Sequence, residues 1–128
     1  MKLLLDTCTF LWLIDGARDL PPRVVNRFRH PENEVYLSAA SAWEIATKVR
    51  IGKLVDFDAV ALDVPAAIAS QGFEELPVSV VHAQRAGSLP GSHRDPFDRM
   101  LAAQAQIEGI AIVSADVVFD AFRVPRIA

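Results

Sequence analysis

The sequence contains little of what stabilises small secreted proteins or inserts a chain into a membrane. It has a single cysteine, Cys8, which excludes an intrachain disulfide and a zinc site built on paired cysteines. A chain without disulfides suits a reducing compartment, so we expect a cytoplasmic protein. A membrane helix needs roughly 20 consecutive apolar residues. No run approaches that length and Asp6 interrupts the apolar start, so we expect neither a membrane span nor a signal peptide.

Positive charge is also scarce. The 13 basic residues are outnumbered by 16 acidic ones, which gives a net charge of −3. This balance excludes a protein that coats nucleic acid by charge alone. It does not exclude an enzyme that reaches a phosphodiester through bound cations, because such cations reverse the local charge. The chain shows no Ser–His or Cys–His arrangement for nucleophilic catalysis, and His30 and His82 are interpreted as surface or capping residues.

The remaining composition is that of a globular protein, and the 128 residues suit one domain over residues 1–128. Short apolar runs predict strands at 2–5, at 35–37, at 110–113, weakly at 73–78, and near Val124 at an edge. Helices are predicted between them, at 7–16, 22–29, 38–52, 56–72 in two pieces, 79–87, 95–108 and briefly after 116. This alternation indicates an α/β fold, a three-layer α/β/α sandwich with a mostly parallel central sheet.

The stretch from His93 to Arg99 carries two acids at a helix start. Pro96 suits the first helical position, Asp95 then becomes the N-cap, and Asp98 lies in the first turn. Capping and complementation of the helix dipole would by themselves explain both acids, at about 0.5–2 kcal/mol.

Three further acids occupy comparable places. Asp6 and Asp116 follow predicted strands, and Glu44 lies in the first turn predicted for a helix that follows a strand. Because the carboxyl ends of parallel strands share one edge of a sheet, where ligand sites gather, we expect these acids and Asp98 to meet there. Clustered carboxylates repel one another unless they hold a cation. Oxygen ligands without thiol or imidazole partners favour Mg²⁺ or Mn²⁺ over zinc.

Glu44 also has structural explanations. Either Ser38 or Ser41 caps its helix, and from Ser41 onward the sequence matches a capping box in which Glu44 reaches back to the cap. Lys48 lies four residues further on and offers an ordinary helical ion pair.

Taken together, the four acids indicate metal-assisted hydrolysis of a phosphodiester. We expect Asp6 and Asp98 to bind the metal directly, then Asp116, and Glu44 to bind through water or to orient another ligand. Contacts to RNA are assigned to Arg94, Arg99 and Lys48, because guanidinium and ammonium groups pair with phosphate. Surface ion pairing with neighbouring acids is the alternative for all three.

Four motifs in sequence order resemble those of the PIN domain family, and most closely its VapC-type ribonuclease toxins. They are Asp6-Thr7, the run Ser-Ala-Ala-Ser-Ala-Trp-Glu-Ile-Ala at 38–46, the run His-Arg-Asp-Pro-Phe-Asp-Arg at 93–99, and Ser-Ala-Asp at 114–116. The resemblance covers essentially the whole chain and implies a PIN-like sandwich. It aligns Asp98 with the acid that precedes the family's Ala-rich helix, and leaves Asp95 as either an additional ligand or a cap.

The same resemblance implies Mg²⁺- or Mn²⁺-dependent cleavage of RNA (tRNA, rRNA or mRNA), a homodimer, and inhibition by a cognate VapB-like antitoxin whose C-terminal segment covers the site. A physical argument also favours a dimer, because four aromatic residues exceed what one small core is expected to bury. These are Phe10, Trp12, Phe28 and Trp43.

Other functions are weighed against this one. A haloacid-dehalogenase-type phosphatase needs a second Asp where Cys8 stands, and a receiver domain needs a lysine that the segment after the last buried strand lacks. A non-catalytic RNA- or partner-binding module remains the alternative, and metal-dependent hydrolysis of RNA discriminates between the two.

Overall fold

The computed structural model describes residues 1–16 and 20–128, and its centre is a five-stranded sheet. The strand bounds are β1 Lys2–Leu5, β2 Glu34–Ser38, β3 Glu74–Leu76, β4 Ala111–Val113 and β5 Arg126–Ile127. In space the order is β3-β2-β1-β4-β5, and every pairing is parallel. The predicted α/β class is confirmed, and the sheet is entirely parallel among the strands described.

Helices connect the strands. They are α1 Thr7–Ile14, α2 Pro22–Arg29, α3 Ala39–Arg50, α4 Asp58–Leu62, α5 Val64–Ser70, α6 Val80–Ser88 and α7 Pro96–Glu108, followed by a 3₁₀ helix at Val117–Phe122. Within the described ranges, no helix combines the length and the apolar character needed to cross a bilayer.

The central strand explains why both faces of the sheet are covered. Leu3 and Leu5 point into a core shared with Phe10 and Phe28, whereas Leu4 points into a second core, which includes Phe119. All of these side chains are buried, as expected for a parallel strand between two helical layers. The sandwich therefore has a separate apolar core on each side of β1.

The register of β1 aligns the ends of three strands. Leu5 pairs with Leu37 of β2 on one side and with Val113 of β4 on the other. The residues that follow β1 and β4, Asp6 and Ser114, therefore leave the sheet at the same edge. This edge is where the acids predicted from sequence as site residues collect.

The structure decides between the two helix starts that the sequence left open. Ser38, not Ser41, caps α3, and its hydroxyl accepts a hydrogen bond from the Ala40 N–H at 3.0 Å. Glu44 consequently lies in the second turn, where it cannot reach the N-cap, so the capping-box interpretation is corrected. The last strand also begins later than predicted, after Pro125 rather than at Val124.

The expected excess of aromatic surface is only partly present. Phe10 and Phe28 are buried in the core, and Trp12 is half-buried. Trp43 alone among these four is exposed, with 62% of its surface accessible. Because both phenylalanines are buried, the physical argument for a dimer loses most of its basis, and only the exposed Trp43 is left to support it.

Two glycines, one inside a helix and one at a helix end, test the assigned backbone conformation. Gly109 ends α7 in the left-handed region (φ 66°), whereas Gly87 lies inside α6 with nothing within 4 Å of an added Cβ. We expect Gly109→Ala to lower the free energy of unfolding by about 1 kcal/mol, because a Cβ is disfavoured in that region. Gly87→Ala should raise it by about 0.5–1 kcal/mol. Urea unfolding measures both, and equal effects would contradict the assigned backbone at Gly109.

Candidate active site

A cavity of about 390 Å³ opens at the carboxyl edge of the sheet, and five carboxylates line it. Four are those predicted to meet there, and the fifth is the additional acid of the same motif: Asp6, Glu44, Asp95, Asp98 and Asp116. They come from the ends of β1 and β4, from α3 and from the start of α7. The structure thus brings all the sequence-predicted acids to one place.

Asp6 is one of two buried acids of the cavity, with 8% of its surface exposed against 7% for Glu44. It caps α1, and its Oδ1 accepts the Thr9 N–H at 2.8 Å. Its Oδ2 accepts a hydrogen bond from the Ser114 hydroxyl. The first helix and the segment after β4 are therefore both fastened to this carboxylate.

Glu44 is held by two partners on opposite oxygens. Thr7 Oγ1 lies 2.5 Å from Glu44 Oε1, and Lys48 Nζ lies 2.5 Å from Glu44 Oε2. The Glu44 side chain is buried and that of Lys48 is about one-third exposed. The helical ion pair considered from sequence is therefore present, and Lys48 itself lines the cavity.

Asp98 is held by a histidine from the preceding loop. His93 Nε2 lies 2.9 Å from Asp98 Oδ2, and both side chains are about one-quarter exposed. The His93 ring packs edge-on against Phe122, with centroids 5.9 Å apart. His93 does not itself line the cavity, and its hydrogen bond fixes Oδ2 of Asp98.

Asp95 and Asp116 both cap helices. Asp95 Oδ1 accepts the N–H groups of Phe97 and Asp98, at 2.9 and 3.1 Å. Asp116 Oδ1 accepts the Val118 N–H at 3.0 Å. The sequence left Asp95 open between a ligand and a cap, and the structure shows the cap. A ligand role is still compatible with it, because Oδ2 makes no hydrogen bond within the described chain.

The donor set can be tested against a divalent cation. Over residues 1–16 and 20–128, no three Asp, Glu, His or Cys side chains are already grouped tightly enough to enclose a metal ion. Three carboxylates nevertheless keep one oxygen without a protein hydrogen bond among the described residues: Asp95 Oδ2, Asp98 Oδ1 and Asp116 Oδ2. An all-oxygen set of this kind suits Mg²⁺, which retains waters and takes only a few protein ligands. The residues fit such an ion chemically.

Burial disfavours the ionised form of two cavity acids, Asp6 and Asp98. It raises the pKa of Asp6, against the lowering effect of hydrogen bonds from Ser114 and Thr9. Burial likewise raises the pKa of Asp98, which the bond from His93 opposes and the negative charge of Asp95 reinforces. A cation in the cavity would relieve both effects, because opposite charge favours the ionised carboxylate.

The two predicted arginine contacts lie apart from the cavity lining. Arg99 donates to three backbone carbonyls: from Nε to Ala86 at 2.9 Å, from Nη1 to His93 at 3.0 Å, and from Nη2 to Leu89. Its guanidinium holds the loop before α7, which is a different role from the phosphate contact predicted for it. Arg94 is exposed and stays a candidate for RNA contact.

Sequence reasoning gave no role to the side chains that hold the acids. Thr7, His93 and Ser114 all stand in the motifs. Thr7 and Ser114 contact acids 37 and 108 residues away, which no local pattern reports, whereas His93 lies only five residues from Asp98. A polar residue beside a candidate acid is the signal that was available. Cys8 also received no role, and it is exposed and lines the cavity.

Comparison with known proteins adds a family to this geometry. A family model described as PIN domain matches residues 3–124. No curated protein sequence matches the chain significantly.

Solved structures share the fold over nearly the full length. VapBC2 from Rickettsia felis, bound to a promoter DNA fragment, is 18% identical with a TM-score of 0.74, covering 99% of this chain and 98% of that one. DNA-bound VapBC from Salmonella typhimurium is 21% identical with a TM-score of 0.72, covering 100% and 97%. FitAcB from Neisseria gonorrhoeae is 20% identical with a TM-score of 0.64, covering 98% and 96%.

The raised pKa of Asp98 predicts how stability depends on pH. The folded metal-free protein binds the Asp98 proton more tightly than the unfolded chain does. The ionised carboxylate therefore costs stability in full above its folded pKa, the cost shrinks as the pH falls through that value, and it is absent below the unfolded pKa. Asp98→Asn should therefore melt at the same temperature or higher at pH 7, and lose that advantage on acidification. Thermal melts in metal-free buffer from pH 7 to pH 3 measure this.

Asp120→Asn is a control, because its melting temperature should depend on pH in the opposite direction. The hydrogen bond from Arg126 lowers the pKa of Asp120, so its contribution is present at neutral pH and disappears as the pH falls. A large fall in the melting temperature of Asp98→Asn at pH 7 would show instead that Asp98 is a structural residue.

Proposed function

The chain belongs to the PIN domain family, and we propose that it is a metal-dependent endoribonuclease that acts as the toxin of a toxin–antitoxin pair. The observation that carries this proposal is the cavity at the carboxyl edge of the sheet, which five carboxylates line without a nucleophilic Ser–His or Cys–His pair in its lining. The fold is shared with solved toxin–antitoxin complexes named VapBC, which supports the biological assignment.

Mg²⁺ or Mn²⁺ is the proposed cofactor, with Asp6, Asp98 and Asp116 as ligands and Asp95 as a further candidate. When bound, such an ion lowers the pKa of a coordinated water and neutralises charge that develops at phosphorus. The protein's own contribution is to hold these carboxylates together at one cavity. His93 fixes Asp98 and Ser114 fixes Asp6, so little reorganisation is needed when the cation and substrate arrive.

Glu44 is proposed to act as an orienting residue rather than as a direct ligand. Its Oε1 accepts a hydrogen bond from Thr7, and its Oε2 is already paired with a cationic group, the Lys48 ammonium, whereas the partners of Asp6 are neutral. Glu44 lies among the other acids and keeps Lys48 at the cavity wall. Lys48 is then placed to approach a phosphate oxygen of RNA, with exposed Arg94 as a second candidate on the adjacent loop.

The proposed partner is an antitoxin whose basic and apolar segment covers this cavity. A lysine or arginine side chain among the carboxylates would stabilise their ionised forms as a cation does. Inhibition then needs no change in the conformation of the enzyme. A homodimer in the cytoplasm is also proposed, supported by the exposed pair Val80 and Val81 at the start of α6.

Replacing Asp98 tests the catalytic part of the proposal. Asp98→Asn removes a charged ligand with almost no change of shape, so we expect cleavage of RNA in Mg²⁺ to fall by about 100-fold or more. Binding of Mn²⁺, measured by calorimetry, should weaken in parallel. Asp58→Asn is the matched control, because Asp58 is also an acid in the first turn of a helix but lies outside the cavity. Unchanged cleavage by Asp98→Asn would reject the assignment of Asp98, whereas a wild-type chain that cleaves no RNA in Mg²⁺ would favour a non-catalytic binding module.

Occlusion by the antitoxin predicts competition with the metal. We expect Mn²⁺ to bind the toxin–antitoxin complex at least about tenfold more weakly than the free chain, because the two ligands exclude each other from the same carboxylates. Calorimetric titration of Mn²⁺ into each form measures the ratio. Equal affinities would show that inhibition acts somewhere other than the cavity.

A further inference from the structure

An aromatic pair stands beside the cavity. The ring centroids of Trp43 and Phe97 lie 4.8 Å apart with the planes inclined at 68°. Trp43 directly precedes Glu44 on α3, and Phe97 directly precedes Asp98 on α7, so each ring is the sequence neighbour of a cavity carboxylate. We call Trp43 and Phe97 the aromatic platform.

The Trp43 ring contributes little to the packing of the core. Trp43 is 62% exposed, whereas Ile45, two residues later on the same helix, is completely buried in the core. Phe97 is half-buried and supports the Trp43 ring from one side. An exposed indole of this size leaves a flat apolar surface available to a ligand.

Electrostatics at the cavity make such a surface useful to a nuclease. Among the described residues that line the cavity, Lys48 is the one cation against five carboxylates, and its ammonium is already paired with Glu44. The side chains of the cavity by themselves therefore supply little charge attraction for a polyanion. Stacking on an aromatic ring does not depend on charge and accepts any base, because every base has a π-face.

Lys48 is also close to the aromatic platform. Its Nζ lies 6.0 Å from the centre of the Phe97 ring. One cation, two aromatic rings and the carboxylate cavity thus lie side by side. This is the combination that binds single-stranded nucleic acid, with a base on the ring and the adjoining phosphate at the cation.

We propose that the aromatic platform stacks one unpaired nucleobase of a single-stranded RNA, next to the phosphodiester that enters the carboxylate cavity. This inference rests on the proposed function and adds to it a base-binding subsite, with Trp43 as the stacking residue and Phe97 as its support. It also places the substrate in a single-stranded or looped segment, because a paired base cannot lie flat on the indole.

A second copy of the chain is the other occupant to consider. In a two-fold symmetric interface centred on Trp43, the same patch of both copies would face each other. That arrangement would bring two carboxylate-lined cavities together, with like charges opposed. A neutral, flat nucleobase carries no such penalty, which is why the observations favour RNA.

The test compares three variants of the full chain in their affinity for oligoadenylate of 12 nucleotides. Fluorescence anisotropy in Ca²⁺ measures binding without requiring cleavage. We expect Trp43→Ala to weaken binding about tenfold or more, and Trp43→Phe to retain most of it because a ring remains. Val117→Ala is the matched control, since Val117 is 67% exposed and directly follows the cavity acid Asp116. It should bind as the wild type does.

Salt dependence separates stacking from charge. Trp43→Ala should leave the slope of log affinity against log salt unchanged, because no ion pair with phosphate is lost. Equal affinity of Trp43→Ala and wild type would overturn the proposal, and so would equal losses for Trp43→Ala and Trp43→Phe. If light scattering showed that Trp43→Ala converts a dimer into a monomer and that this accounts for the lost affinity, the ring would belong to an interface between copies, which also overturns it.

These outcomes are distinct from failure of the proposed function. A wild-type chain that cleaves no RNA in Mg²⁺ would reject the nuclease, while the anisotropy series would still decide whether the aromatic platform binds a base. If the wild type cleaves RNA and Trp43→Ala cleaves it with the same efficiency, the aromatic platform alone is rejected.

Discussion

The hydrogen bonds to Asp6 hold the carboxyl edge of the sheet together. Asp6 ends the central strand, and its side chain joins α1, through the Thr9 N–H, to the segment after β4, through the Ser114 hydroxyl. Its own N–H donates to the Val113 carbonyl at 3.2 Å. A buried carboxylate is tolerated only with such partners, and burial still raises its pKa. The structure thus keeps an ionisable group where packing alone would place an apolar one, which is the constraint that the proposed cation would satisfy.

The fold was predictable because its signals are local and agree with one another. The buried runs that became β1, β2 and β4 are short and apolar on both faces, and the helices between them carry recognisable caps, such as Ser79 for α6 and Gly109 for α7. Errors arose where two residues could serve the same purpose. Ser38 and Ser41 are both plausible caps, and choosing between them decides whether Glu44 lies in the first or the second turn. In the structure β2 runs to Ser38 and α3 begins directly after it, which settles the choice.

The site was predictable in its acids and less so in their surroundings. A carboxylate at a strand end is visible in sequence, and parallel topology is enough to gather several of them. Which oxygen stays free depends on contacts between distant segments, as with Thr7 and Glu44, which are 37 residues apart. Arg99 shows the converse limit, because its donors bind three carbonyls between the end of α6 and the loop before α7, and nothing in the sequence reveals where that segment folds.

The central claim is that the carboxylate cavity is a cation site, and anomalous diffraction from crystals grown with Mn²⁺ tests it most directly. The account predicts an anomalous peak within the cavity, bonded to a free oxygen of Asp98 and to at least one of Asp6, Asp95 and Asp116. A cavity without a peak, at a Mn²⁺ concentration that supports cleavage of RNA, would contradict it.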